Sequence, residues 1–589
     1  MARQIGSVEL PRFFKKCLYL AVSSLFFVLV VTNFVSAIWV DADGSGQESI
    51  NISNSLGDSD NPSIILDSPR NRYIVWEDTS PGNYDIYLLK WDGKEWVDAD
   101  GSGQESINIS NNLGTSRYPS ICLDSSGNPH IAWHDYDLTL GNNEIYYLKW
   151  NGTAWVDADG SGQESVNISN TANSSYYPSL CIDSLGNPHI AWKDYISGDN
   201  FDIYYLKWNG TAWVDADGLG RESINMSNNS GYSGYPSLSL DSSGSPHIAW
   251  MDDTSGNSEI YYLKWNGTAW VDADGSGQES INVSNRNEDS RNPSLCLDSL
   301  GNAHIAWDQS GTGNYEIYYL KWNGTAWVDA DGSGQESINV SNNTGDSGYP
   351  SLCLDSLDNP HIAWFDHTLG RQIYYLKWNG KAWVDVDGLG RESINMSKTG
   401  GDSRVPSLYL DSSGNPHIAW RDNTSGNYEI YYLKWNHAPT LSWTGETNYS
   451  TDGLEPEAGY PNTNFVYMVK YTDEDNDAPA SSYPKVHIMK AGSEISGSPF
   501  AMSEGNGVDT NYSDGKLYMY TKSGLGPGTD YTYYFEANDI WNTPATGAPT
   551  SSNDAPDVTN HAPTLSWTGE KDYSTDGLEP EAGYPNTNF

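Results

Sequence analysis

The stretch SRVPSLYLDSSGNPHIAWRDNTSGNYEIYYLKWN, Ser403–Asn436, is the seventh of seven near-copies in one chain. SRYPSICLDSSGNPHIAWHD (Ser116–Asp135) and SGYPSLCLDSLDNPHIAWFD (Ser347–Asp366) belong to two of the others. Each copy reads as short strands punctuated by turns. PSLYLD is a short apolar run, and DSSGN supplies the Asp, Ser, Gly and Asn that favour a turn. PHIAW is the second strand, and a polar loop such as DNTSGN leads into the third, EIYYLKW. Asn-Gly, as at Asn151-Gly152, predicts a two-residue hairpin into a fourth strand, TAWV. Four antiparallel strands per unit, repeated seven times, predict an all-β fold, a seven-bladed β-propeller. The strands are apolar on both faces, as suits a sheet sandwiched between neighbours.

The ends of the repeat array complement each other. The phrase W-V-D-x-D-G starts at Trp39, Trp96, Trp155, Trp213, Trp270, Trp327 and Trp383. The seventh unit stops at LKWN (Leu433–Asn436) and lacks its TAWV strand, whereas Ile38-Trp39-Val40 is an orphan copy of that strand. Pairing the two would close a ring and leave no exposed edge.

These patterns divide the chain into a signal peptide at 1–37, a propeller at 38–436, a sandwich at 437–560 and a partial second sandwich at 561–589. Arg12, Lys15 and Lys16 precede the apolar LYLAVSSLFFVLVV (Leu18–Val31), and Val35-Ser36-Ala37 offers small residues for cleavage. That leader predicts a secreted or cell-surface protein, with no membrane-spanning segment in the mature chain and a monomeric propeller. HAPTLSWTGE recurs at His437 and His561. Between them, runs such as NFVYMVKYT (Asn464–Thr472) and DYTYYFEAND (Asp530–Asp539) predict a β-sandwich of immunoglobulin or fibronectin type III kind. The second copy is too short to bury a core, so the chain is expected to be truncated.

With 31 Lys and Arg against 77 Asp and Glu, the formal net charge is −46. Nucleic acid is thereby excluded as a partner, because its phosphates would repel the chain. Cys122, Cys181, Cys296 and Cys353 share one repeat position that elsewhere holds Ile65, Ser239 and Tyr409. Such interchange predicts free packing thiols rather than disulfides.

The order PSLxLDSSGNPHIAWxD…IYYLKWNGTAW resembles the BNR-repeat, sialidase-like propellers over Ile38–Asn436. That group carries an Asp-box, S-x-D-x-G-x-T-W, on the hairpin between its third and fourth strands. Here the hairpin reads KWNGTAW, which keeps Gly152 and Trp155 in register and lacks the Ser and Asp. Enzymatic sialidases of the group have six blades, one fewer than the repeats counted here. The resemblance also implies an R-I-P motif whose arginines clamp a sugar carboxylate. Arg117-Tyr118-Pro119, Arg291-Asn292-Pro293 and Arg404-Val405-Pro406 match R-x-P. An Arg fork suits a carboxylate because it donates two parallel charged hydrogen bonds. The same position holds Asp60 and Tyr176 in two other blades and Gly234 and Gly348 in the remaining two. Arg117, Arg291, Arg404, Tyr176 and Asp60 are therefore the candidate ligand-binding residues, with solvated surface charge as the alternative for the arginines.

Other repeated residues read as structural. Asp78, Asp135, Asp194, Asp252, Gln309, Asp366 and Asp422 end the second strand, where a carboxylate can hold backbone N–H groups. His130, His189, His247, His304, His361 and His417 share one position and form no ligand cluster. The DADGSGQES loops offer possible calcium ligands at Asp41, Asp43, Asp98, Asp100, Asp157, Asp159, Asp215, Asp217, Asp272, Asp274, Asp329, Asp331, Asp385 and Asp387. A plain Asp/Gly turn is the favoured alternative, since the twelfth loop place, Ile109 in one copy, offers no bidentate Glu. DEDNDAP (Asp473–Pro479) is a second acidic loop with the same ambiguity.

No residue stands out as catalytic. The expectation is a non-catalytic binding or adhesion protein, its propeller a platform for a glycan or surface-protein ligand. The alternatives are a sialidase-type glycoside hydrolase and a structural stalk or surface-layer component.

Overall fold

A computed structural model describes residues 37–40, 50–67, 71–80, 82–92, 96–98, 107–162, 166–198, 200–221, 225–275, 277, 281–311, 313–332, 334, 338–386, 394–449, 451–505, 507 and 511–560. The expected leader and the second HAPTLSWTGE copy lie outside the described residues. Two compact units emerge. One takes residues 1–438 with 474–476 and 540–543, and the other 439–473, 477–539 and 544–589.

The first unit is built from repeated antiparallel sheets, seven among the described residues. In the second repeat, Ser116–Leu123 is the inner strand, Pro129–Asp137 the second and Asn142–Trp150 the third. The outer edge is made of two short pieces, Trp155–Val156 and Val166–Asn167, both paired with the third strand. The hairpin between third and fourth strands differs from the expected two-residue turn. Trp150 pairs with Trp155, which leaves a four-residue loop, Asn151–Ala154. The Asn151 side chain explains the longer loop, because its Oδ1 accepts the N–H groups of both Thr153 and Ala154 at 2.9 Å.

The sheets follow one another in a circle. Inner strands contact in sequence order from Ser59–Leu66 round to Arg404–Leu410, which returns to Ser59–Leu66. The last sheet takes its fourth strand from the start of the ring, with Trp39 opposite Trp435 and Val40 opposite Lys434. In six of the seven sheets the serine after the inner-strand proline fastens one sheet to the next. Ser179 Oγ accepts the Leu238 N–H at 3.0 Å, and Ser237 Oγ accepts that of Leu295 at 3.0 Å. The IAW tryptophans (Trp133 and Trp192 among them) are fully buried and stack on third-strand tyrosines. That placement explains why the residue is invariant through the repeats.

His189 Nδ1 hydrogen-bonds the Tyr205 hydroxyl at 2.6 Å, and its Nε2 lies 3.7 Å from Asp183. The other five histidines repeat this arrangement. Five of the six aspartates that end the second strand anchor a neighbouring serine, as where Ser116 donates to Asp135 at 2.8 Å. The four described cysteines are free thiols, and Cys181 donates to the Leu238 carbonyl of the next inner strand at 3.2 Å.

The second unit holds two five-stranded antiparallel sheets, one centred on Phe465–Thr472 and Lys516–Lys522, the other on Lys485–Lys490 and Tyr531–Glu536. They share one core that includes Tyr467, Val469, Ile488, Tyr533 and Phe535. Among the described residues no helix is long and apolar enough to cross a membrane.

Candidate functional site at the mouth of the ring

The inner strands all break pairing with the second strand at the same place. In the second sheet the register shifts between Arg117 and Ser120, so Tyr118 and Pro119 bulge out of the ladder. Proline has no N–H to give the ladder, which favours the break. The residue before the proline then takes a left-handed conformation in all seven sheets. These residues are Asn61, Tyr118, Tyr177, Tyr235, Asn292, Tyr349 and Val405, with φ from 50° to 54°. Asn adopts this region readily, whereas a β-branched Val does so only under strain.

The bulged residues converge on the axis. Together with their prolines they line a cavity of about 400 Å³, to which Asp60, Phe365, Arg404 and Arg421 also contribute. That volume is within the range of small-molecule sites. Four of the seven bulged residues are tyrosines, and the rings of the three in consecutive sheets follow one another closely. Tyr118 and Tyr177 have centroids 4.2 Å apart, and Tyr177 and Tyr235 4.8 Å.

A second ring of side chains stands behind the first. The residue between Trp and Asp in IAWxD pairs across to the residue two before the proline. The pairs are Asp60 with Glu77, Arg117 with His134, Tyr176 with Lys193, Gly234 with Met251, Arg291 with Asp308, Gly348 with Phe365 and Arg404 with Arg421. Most of the ionisable chemistry near the axis is held in these pairs, yet the position after the tryptophan is absent from the sequence-derived candidates. The signal was present, because x in IAWxD takes seven different identities among near-identical repeats.

Burial sets the charge states. Glu77 is fully buried, and burial pushes its carboxyl up to about 7 despite the Arg117 guanidinium beside it. Asp308 is likewise raised by burial to about 7, while Asn292 donates to it at 2.9 Å. His134 is lowered by burial to about 3, with Arg117 and Lys193 adding to the effect. The imidazole is therefore neutral, and its buried Nδ1 has no hydrogen-bond partner. Asp60 is raised by burial, against the pull of Arg421, whose Nη1 donates to it.

The candidate residues do not all meet at this site. Asp60 and Arg404 line the cavity; Arg117, Arg291 and Tyr176 are not among its lining residues. Each arginine has its own carboxylate. Arg117 donates from Nε and Nη2 to Glu77 at 2.9 and 2.8 Å and lies over the Tyr84 ring. Arg291 Nη2 is 3.6 Å from Asp289, with its guanidinium over Tyr315. Arg404 forms two parallel hydrogen bonds to Asp402, at 2.8 and 2.6 Å. Tyr176 accepts a hydrogen bond from Asn143 at 3.2 Å.

Of the candidate calcium loops, Asp41, Asp43, Asp100 and Asp387 lie outside the described residues. Asp157 turns Oδ1 onto the Gly160 N–H at 3.0 Å, and Asp159 accepts the Ser161 N–H at 2.7 Å. Asp217 accepts the Leu219 N–H at 2.7 Å. Asp215, Asp272, Asp329 and Asp385 are buried at the start of their loops. Asp98 is half-buried, and Asp274 and Asp331 stand on the exposed side of theirs. Where the hydrogen bonds are seen, the carboxylates serve the backbone of their own turn. In DEDNDAP, Asp473 accepts the Asp477 N–H at 3.0 Å, and Asp475 accepts from Asn415 and the His437 N–H at 2.6 Å each.

No family model matches the chain, and no curated protein matches it. Solved structures do resemble it in fold. One is a polysaccharide lyase of family PL25, an ulvan lyase, at 12% identity and a TM-score of 0.43, covering 65% of this chain and 95% of that one. Another is an α-L-arabinofuranosidase from Fusarium graminearum, at 11% identity and a TM-score of 0.33, covering 54% and 92%. A third is a thermostable family-43 glycoside hydrolase, at 13% identity and a TM-score of 0.29, covering 57% and 95%. The likeness is one of propeller-like fold. All three are enzymes, and the expectation of a non-catalytic binding or adhesion protein is corrected on that finding.

Proposed function

We propose that the chain is a carbohydrate-active enzyme that takes a polysaccharide into the axial cavity, and that it works outside the cell. In this reading the seven sheets are a seven-bladed β-propeller of BNR-like type, and the second unit is an immunoglobulin- or fibronectin-like sandwich. The observation that carries the proposal is the convergence of four tyrosines with Asp60, Arg404 and Arg421 on one cavity of about 400 Å³. Tyrosine faces offer sugar rings a flat apolar surface and a polar edge, at little conformational cost. The guanidinium groups of Arg404 and Arg421 provide directional donors for sugar hydroxyl or carboxylate oxygens. Their positive charge is largely spent on Asp402 and Asp60, so they act as fixed donors more than as an anion trap.

The groups with acid–base capacity at this mouth are the phenols and Asp60. The Asp60 carboxyl is raised by burial, which brings it nearer the range where a carboxylic acid can protonate a leaving oxygen. A sialidase reading requires several arginines in one pocket. Only Arg404 of the three R-x-P arginines lines this one, so no sialic-acid specificity is proposed.

The test is incubation with a panel of neutral and uronate-bearing polysaccharides. Reducing ends and unsaturated products would both be followed. Cleavage of at least one polysaccharide is expected, reduced at least tenfold by Tyr177→Ala and Asp60→Asn. Absence of new chain ends from every member would remove the enzymatic reading.

A further inference from the structure

Lys193 does not belong to the cavity wall, yet its surroundings differ from those of every other described lysine. It sits on the second strand of the third sheet, opposite Tyr176, and is 7% exposed. Five aromatic rings enclose its amine: Phe201 at 4.5 Å, Tyr177 at 4.7 Å, Tyr232 at 4.9 Å, and Tyr176 and Tyr235 at 5.5 Å. Nζ donates to the Tyr232 hydroxyl at 2.7 Å. The titratable groups facing it from the packed elements are His134, Tyr176, Tyr177, Tyr232 and Tyr235. Burial lowers the amine from 10.5 to about 8.

Tyr232 reaches the amine because its neighbour is glycine. A Cβ on Gly234 would stand 2.7 Å from Tyr232 Cε1 and 3.0 Å from its hydroxyl oxygen. This is the position that carries arginine in three other sheets. From Tyr232 the phenols continue to the cavity: Tyr232 and Tyr235 both face the Lys193 amine, and the Tyr177 ring lies 4.8 Å from that of Tyr235 and 4.2 Å from that of Tyr118. The last three all line the cavity.

We propose that Lys193 is the proton reservoir of the axial cavity, exchanging a proton through the Tyr232 hydroxyl with the cavity phenol Tyr235. Lys193 is a positioning residue that acts through the phenols. The inference rests on the enzymatic reading for its use and on geometry alone for the exchange. When Tyr235 gives its proton to a leaving oxygen, the Tyr232 proton moves to Tyr235 and a Lys193 proton moves to Tyr232. One N–H bond breaks, one O–H bond forms on the leaving group, and the amine is left neutral. No electrons change partners between oxidation states. The amine regains its proton from solvent after product leaves. Tyr177 and Tyr118 continue the row of phenols around the rim.

The test is NMR on protein labelled at lysine ζ-nitrogen and tyrosine ζ-carbon. One lysine signal is expected to titrate near 8 and to vanish in Lys193→Arg. The Tyr235 signal is expected to follow that titration in the unaltered protein and to stop following it in Tyr232→Phe, where the lysine still titrates. Gly234→Ala, which crowds Tyr232, is the second way of cutting the path and should uncouple Tyr235 likewise. A Tyr235 signal indifferent to the Lys193 titration, or a Lys193 that titrates with the other lysines, overturns the proposal. With an active substrate, the cleavage rate should fall at least tenfold through that alkaline limb, and Tyr232→Phe should abolish the limb. Persistence of the limb in Tyr232→Phe overturns the path. Failure of all polysaccharides to be cleaved removes the enzymatic reading and leaves the NMR result to decide the exchange.

Discussion

Glu77 presents one carboxylate oxygen to the Arg117 guanidinium and the other to the Tyr118 N–H, at 2.8 and 2.6 Å. One buried acid of the first sheet thereby fixes both the arginine of the second sheet and the bulge that aims Tyr118 at the axis.

Arg117→Leu should therefore weaken the fold in a pH-dependent way. Losing one partner of a buried charged pair costs about 2–4 kcal/mol. Burial already holds the folded-state Glu77 near 7, above its unfolded value of 4.5. A raised acid binds more protons in the folded state, so its contribution to stability declines as pH rises from the unfolded value. Without Arg117 the decline should extend past neutrality. Chemical unfolding midpoints of the two proteins should be close near pH 5 and well apart at pH 8. An equal gap at both would contradict the assignment.

Val405 is the one β-branched residue in the ring of left-handed bulges, at a φ of 51°. Two other sheets use Asn at this place. Val405→Asn should raise the unfolding midpoint, by about 1 kcal/mol of relieved backbone strain. A lower midpoint would mean that Val packing outweighs the strain.

Acid should open the ring well before it reaches ordinary carboxylate values. His130 and His417 are held near 4 by burial, below their unfolded 6.5, and the four other repeat histidines are shifted in the same direction. A depressed histidine supports folding fully above 6.5, and that support is lost as pH falls towards 4. The accompanying Asp411 is also depressed, to about 2, so its support is lost only below its unfolded 3.8, beyond the range in which the histidines act. For His130 and His417 the loss is on the order of 2–3 kcal/mol each. Circular dichroism melts from pH 7 to 4 should show a steep fall, and a flat profile would contradict buried neutral histidines.

Ser237 is the pin between the fourth and fifth sheets. Ser237→Ala strands the Leu295 N–H, a loss of about 1–2 kcal/mol. Ser237→Thr, which keeps the hydroxyl, should lose less. Hydrogen exchange at Leu295 is the direct readout.

The sequence announced the repeats because near-identical copies leave little else to explain. Serine, proline, tryptophan and histidine hold fixed places, and each now has a partner that accounts for it: the Ser237–Leu295 bond, the bulge, the Trp192–Tyr204 stack, the His189–Tyr205 pair. The strand lent to the last sheet by Trp39 was legible from the missing TAWV. The site was less so. R-x-P drew attention to arginines, but a side chain's alternation along a strand fails at a bulge. The inserted left-handed residue turns Tyr118 inward and leaves Arg117 to Glu77. No periodicity encodes that inversion. Lys193 was hidden for another reason. Its cage is drawn from three strands and a loop, and only their closure around one amine gives it meaning.

The pairing of Trp39 with Trp435 brings the two ends of the repeat array side by side in one sheet. The order of the repeats along the chain is then a convention, since every joint around the circle is alike in kind. Cutting the Asn209-Gly210 loop and joining residue 437 to residue 37 through a short Gly-Ser linker should yield a circular permutant whose repeats fold into the same ring.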